Sequence, residues 1–235
     1  MKEFFMANYS GQSYYVRETN LLYRVYAWMC LALGITAVTA YYVSQSPAFI
    51  NAIFGNPIIT VVLMVAQLGL VLLLSLLINR ISFAAAAGLF LVYAVSLGLT
   101  LSAIFLVYTY SSIFSTFLVA SGMFGAMALY GYFTKADLSA MGSFLFMALI
   151  GLILGGLVNM FFKSESFNYV LSAIGVIVFT LLTAYDVQKI KQMASGLYQD
   201  SDSMAKASIL GALTLYLDFV NLFLFLLQIM GRRRE

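Results

Sequence analysis

The sequence contains no histidine and a single cysteine, Cys30, among its 235 residues. Histidine is the usual side chain that titrates near neutral pH and the commonest metal ligand. Its absence excludes a Ser-His-Asp triad, a Cys-His dyad and a zinc site of ordinary composition. One cysteine excludes a disulfide scaffold. Charge is scarce as well. Only 9% of residues are Asp, Glu, Lys or Arg, against about a quarter in a soluble globular chain. With 63% of residues hydrophobic, too few polar side chains remain to cover a water-facing surface. The chain therefore reads as an all-α polytopic membrane protein whose first partner is the lipid bilayer. Intrinsic disorder, which needs low hydrophobicity and high net charge, is excluded. The net charge of +3 is small. Its basic residues sit at the ends of apolar runs as topology signals, so nucleic acid is not an expected partner.

Proline is also rare. Both prolines, Pro47 and Pro57, fall in the polar separator 44–57, so neither interrupts a predicted span. Any kink must come from glycine or a polar side chain. What is abundant is continuous apolar sequence. Seven runs, approximately 22–43, 58–78, 82–107, 113–133, 140–162, 168–189 and 207–230, are each long enough to cross a membrane, which takes roughly 20 helical residues. They do not alternate, which argues against transmembrane strands. Residues 1–20 read as a short cytoplasmic tail that is retained, and 21–235 as a single transmembrane domain.

Topology follows from the Lys and Arg residues outside the runs. With the N-terminus inside, eight of them share the cytoplasmic side: Lys2, Arg17, Arg24, Arg80, Lys135, Lys189, Lys191 and Lys206. The outer loops carry only Lys163. Arg232, Arg233 and Arg234 run against the rule, because seven full spans put them outside. Pairs of small residues four apart, such as Gly151 with Gly155, Ser121 with Gly125 and Gly98 with Ser102, allow close approach of helices, either within the bundle or at a dimer seam.

Two carboxylates stand where charge is expensive. Asp218 lies about eleven residues into the last run, near the midplane. An aspartate there costs about 2.5–3.5 kcal/mol on insertion scales. Asp186 lies about a turn from the inner end of the sixth run. The two are on consecutive antiparallel spans in the inner half of the membrane. If they meet, the pair tends to share one proton, which supplies a sensor without histidine. Fully ionised, it presents hard oxygen ligands suited to a weak, transient calcium site. The bland alternatives are a structural Asp218 bonded to Tyr, Thr or Asn of a neighbouring helix, and an interfacial Asp186 near Lys189. Arg80, at the inner end of the second run, is a positive-inside anchor or a partner of one of these acids. Tyr185 and Asn221 stand beside the aspartates as candidate supports. Gln67, Asn159 and Asn221 read as interhelical hydrogen bonders. Asp137 reads as a helix cap, Glu165 as a solvated outer-loop residue, and Trp28 with most of the sixteen tyrosines as interface anchors.

Four stretches in order resemble the Bax inhibitor-1 family. They are Tyr23-Arg24-Val25-Tyr26-Ala27-Trp28-Met29, the segment from Gly125 to Ser139, Ala184-Tyr185-Asp186-Val187-Gln188-Lys189-Ile190, and the segment from Leu215 to Phe223. The resemblance covers almost the whole chain and looks like a bacterial member. It implies seven transmembrane helices with the last helix central. It also implies a pH-sensitive calcium leak, with Asp186 and Asp218 matching a paired-aspartate sensor and Arg80 a gating latch. Eukaryotic members suppress cell death, and some bacterial members restrain a membrane-anchored protease.

The expectation is a passive cation leak modulated by protons, with calcium as the permeant ion, no resident cofactor and no enzymatic reaction. Its location is a bacterial inner membrane. The alternative is a non-transporting regulator that binds a membrane protease or other membrane proteins. An intramembrane aspartyl hydrolase is disfavoured, because no Gly-x-Gly-Asp-like motif surrounds Asp218.

Overall fold

The computed structural model describes residues 2–196 and 201–234, with side chains placed for 18–194 and 202–234. Every element among them is an α-helix. In order these are α1 (Lys2–Ser44), α2 (Pro47–Phe54), α3 (Pro57–Leu77), α4 (Phe83–Leu101), α5 (Ile104–Val107), α6 (Tyr110–Phe133), α7 (Ser139–Phe162), α8 (Glu165–Gly196) and α9 (Ser201–Met230). Seven stretches are long and apolar enough to cross a membrane: Glu18–Ser44, Pro57–Leu77, Phe83–Val107, Tyr110–Phe133, Ser139–Phe162, Glu165–Ala194 and Asp202–Met230. The protein is an all-α polytopic membrane protein. Each of the seven apolar runs of the sequence falls in a helix long and apolar enough to cross a membrane, the last included.

Local chemistry sets the helix ends. Pro47 and Pro57 occupy the first turns of α2 and α3, where a missing N–H is harmless. The separator 44–57 is thus not an irregular loop: it carries the short helix α2. Asn56, Ser82 and Thr109 cap α3, α4 and α6 through side-chain oxygens. The third span is interrupted at Ser102. Its hydroxyl donates to the Leu99 carbonyl at 2.6 Å, so a polar side chain and not a proline marks the break.

Burial is distributed as lipid exposure demands. Only 11% of the apolar windows of α3 and α7 is buried, against 67% in the last span. Leu68, Leu72, Leu76, Phe144, Phe146 and Met147 are exposed, a surface that only hydrocarbon can cover. Cys30 is on the exposed face of α1.

The helices form two compact units. One holds α1 to α4 together with Lys189–Thr214; the other holds Ala103–Gln188 and the chain from Leu215 onward. In the first unit α1 lies tightly on α4. Thr36 Oγ1 donates to the Ala94 carbonyl at 2.9 Å, and a Cβ on Gly98 would meet Thr39 Cβ at 2.7 Å. Gln67 of α3 donates to the Ser96 carbonyl and to Thr100 Oγ1 of α4, at 2.8 and 2.7 Å, as an interhelical bonder should. Val25 and Ile190 close on Gly211.

In the second unit Gly155 receives Leu171 and Gly175 receives the Phe225 ring. Phe219 is edge-on to Phe117 and Phe124, each at 5.5 Å. The four-spaced small pairs divide accordingly. Gly98 and Gly155 serve close packing, whereas a Cβ at Gly88, Gly122, Gly125 or Gly151 would meet nothing within 4 Å.

Three polar expectations need correction. Asn159 is not seen to bond across to another span: its Oδ1 accepts from the Ser164 N–H at 3.0 Å, within the turn that follows its own helix. The Asn221 amide donates to the Leu217 carbonyl of its own helix at 2.8 Å, one turn back. The N-cap position of α7 is Leu138 and not Asp137, which stands one residue earlier and accepts from the Ser139 N–H at 2.9 Å.

Candidate functional site

The second unit brings together the two aspartates that the sequence singles out. Asp218 lies near the middle of the last span and is only 5% exposed. Its neighbours on α9 are apolar: Leu215, Tyr216 and Leu222 are fully buried and Phe219 nearly so. Asp186, on α8, is 9% exposed. The Asp186 carboxyl, on the facing helix, is the acidic neighbour of Asp218. The Asp218 oxygen Oδ2 is buried without a partner among the described residues. Two acids on separate helices are therefore neighbours within a buried part of the second unit.

Three contacts hold the Asp186 rung of α8 against its neighbours. Gly131 of α6 backs directly onto the Ala184 backbone; a Cβ there would lie 2.9 Å from Ala184 Cα. Gly142 of α7 leaves room for the Tyr185 side chain, whose hydroxyl would lie 2.6 Å from a Cβ at that position. Gln188, itself buried, grips the α6–α7 turn from both ends of its amide. Its Oε1 accepts from the Leu138 N–H at 2.9 Å, and its Nε2 donates to the Ala136 carbonyl at 2.8 Å. Both bonds satisfy backbone groups of a turn that would otherwise be half-dry.

Tyr185 packs on Gly142 as described, and Asn221 is committed to its own helix. Arg80 belongs to the first unit. It sits exposed in the turn after α3, its N–H bonded to the Leu77 carbonyl, with no ion pair among the described residues. Glu165 is exposed, with Arg233 at 3.6 Å. No cluster of three or more Asp, Glu, Cys or His residues able to hold a metal occurs among the described residues. Among the described residues the aspartate pair is thus joined by no third carboxylate, thiol or imidazole.

Sequence reasoning missed the positioning residues. Gln188 is one polar residue at the end of an apolar run and reads as interfacial; only its contact with the turn gives it a role. It also missed Glu18. Glu18 falls within the stretch read as a cytoplasmic tail, yet it opens the first span 1% exposed, with neither carboxylate oxygen partnered among the described residues.

Comparison with known proteins places these features in a family. The sequence profile described as "Inhibitor of apoptosis-promoting Bax1" matches residues 18–235. The chain is 52% identical over 212 residues to the Inner membrane protein YbhL of Escherichia coli K12, covering 90% of this chain and 91% of that one. It is 43% identical over 218 residues to a protein of Borreliella burgdorferi, covering 93% and 94% of the two chains. A Rickettsia prowazekii protein is 44% identical over 212 residues, covering 90% and 89%.

Proposed function

The chain belongs to the Bax inhibitor-1 family, and from that membership we propose that it is a pH-sensitive leak pathway for calcium in a bacterial inner membrane. Asp186 and Asp218 are its proton-sensitive element and Arg80 its latch. The observation that carries this reading is Asp218, buried inside a span with the nearly buried Asp186 carboxyl as its acidic neighbour. An ionised carboxylate only accepts hydrogen bonds, so two carboxyls can bond directly only with a proton between them. Losing that proton converts an attractive contact into a repulsive one and leaves negative charge facing the interior.

The released charge has two uses. It provides hard oxygen ligands for a calcium ion, too few for tight binding and so compatible with transit. It also attracts a guanidinium. Pairing with Arg80 when both acids are ionised closes the pathway, and a proton on the pair releases Arg80 and opens it. The protein is thus a conduit with protons and calcium as its small partners, not an enzyme. The name of its Escherichia coli relative supports the inner-membrane location. The excess of Lys and Arg on one set of turns supports a cytoplasmic N-terminus.

The test is calcium flux into proteoliposomes of the purified chain between pH 5 and 8. Flux should fall as pH rises, and Arg80→Ala should leak more than the parent. A complete lack of flux would overturn the conduit and leave a non-transporting regulator of other membrane proteins, such as a membrane-anchored protease.

A further inference from the structure

The three arginines that run against the charge rule are not a loose end. Residues 232–234 lie antiparallel to 107–109 in the second unit. The Thr109 N–H donates to the Arg232 carbonyl at 3.0 Å, the Arg234 N–H to the Val107 carbonyl at 2.8 Å, and Tyr108 bridges Arg233. The Arg232 N–H donates to Ser112 Oγ at 2.8 Å. The Arg234 guanidinium rests 4.6 Å over the Tyr110 ring, a cation–π contact. Backbone bonds thus fix where these cations stand.

Beside this strap is a cavity of about 380 Å³ at the α7–α8 turn, lined by Asn159, Lys163, Glu165, Asn168, Gln228 and Arg233 among others. Lys163 is the one non-glycine residue with positive φ among those described, at 50°. This left-handed position ends α7 and lets α8 begin within two residues. The cavity wall is rich in donors. Asn159 Oδ1 is taken by the Ser164 N–H, so the group it has left to offer is its NH₂. Lys163 and Arg233 add two positive charges, against the one negative charge of Glu165. The positive end of α8, 32 residues long, adds to the same sign. Phe161 and Phe162, 80% and 78% exposed, stand at the end of α7 next to the cavity, as aromatic residues do at headgroup depth.

We propose that this cavity is a binding site for a phosphate-bearing anion, with Lys163 and Arg233 as the charged ligands. Two sources offer that chemistry: the headgroup of an anionic phospholipid, or free phosphate. Apolar rings beside the opening and cations inside it suit a lipid that keeps its chains in the hydrocarbon and its phosphodiester at the turn. Glu165, 3.6 Å from Arg233, occupies the guanidinium when the site is empty and competes with the ligand.

The experiment is thermal unfolding of the full chain in neutral detergent, titrated separately with phosphatidylglycerol, phosphatidylcholine and inorganic phosphate. Phosphatidylglycerol should raise the midpoint saturably and phosphatidylcholine should not. The double variant Lys163→Gln/Arg233→Gln, confined to exposed side chains, should weaken the apparent affinity at least tenfold. Glu165→Gln should tighten it. A saturable, variant-sensitive response to inorganic phosphate alone supports the same site with a free anion as its ligand. Equal responses to both lipids, no effect of the double variant, or weaker binding in Glu165→Gln would overturn the proposal.

Discussion

Gly131 on α6 lies with its Cα against the backbone of Ala184 on α8, two residues before Asp186. No side chain fits between them, so the height of the Asp186 carboxyl is set by backbone-to-backbone contact. Gly131→Ala should push the helices apart and cost about 1–3 kcal/mol. Gly151→Ala, at a position where a Cβ meets nothing, should leave the melting temperature within a degree of the parent. Thermal unfolding of the two variants side by side checks this.

The aspartates make the sharpest functional expectation. One titrating proton changes the ratio of two states about tenfold per pH unit. Asp218→Asn and Asp186→Asn should each flatten the pH profile of calcium flux between pH 5 and 8, while leaving the protein folded. A profile that keeps its midpoint in both variants would remove the pair from the mechanism.

Gln188 separates positioning from packing. Gln188→Ala gives up both bonds to the α6–α7 turn and should cost about 1–3 kcal/mol, because the N–H of the buried Leu138 loses its acceptor. Gln188→Glu keeps the acceptor for the Leu138 N–H but faces the Ala136 carbonyl with an oxygen. It should therefore retain part of the stability and still shift the midpoint of the flux profile. Stability loss with an unmoved midpoint would make Gln188 structural only.

Asp137 provides a control on the opposite side of the pH scale. Hydrogen bonds from Ser139, through its side chain and its N–H, hold this exposed carboxylate below the usual carboxylate value. A group with a depressed value stabilises the fold when ionised. Its contribution is present above the ordinary carboxylate range and is lost as pH falls through the lowered value, below about pH 4. Asp137→Asn should therefore abolish an acid-side change in the melting temperature and leave the pH 5–8 flux profile unmoved.

The spans and the aspartates were legible because hydrocarbon imposes a simple rule. A 20-residue apolar run has one stable form there, and a carboxylate within it stands out. Asp218 and Asp186 announce themselves by cost alone. Gln67 was legible for the same reason. Helix α2 was not, since a separator with two prolines and two asparagines resembles a loop and the prolines in fact start helices. Gln188, Gly131 and Gly142 were hidden because their importance lies in partners fifty or so residues away, which no local pattern records. The burial of Glu18 was hidden in the same way, since it comes from packing and not from its polar neighbours in sequence.

Cys30 carries one last implication. It is the chain's only thiol, it is exposed, and it sits about 18 Å along the helix from Glu18 at 1.5 Å per residue. A maleimide probe thus has a single attachment point in the unmodified sequence, on a surface facing acyl chains. Membrane-permeant reagents should label it in intact cells and charged ones should not. A spin label or fluorophore there would report on the first unit.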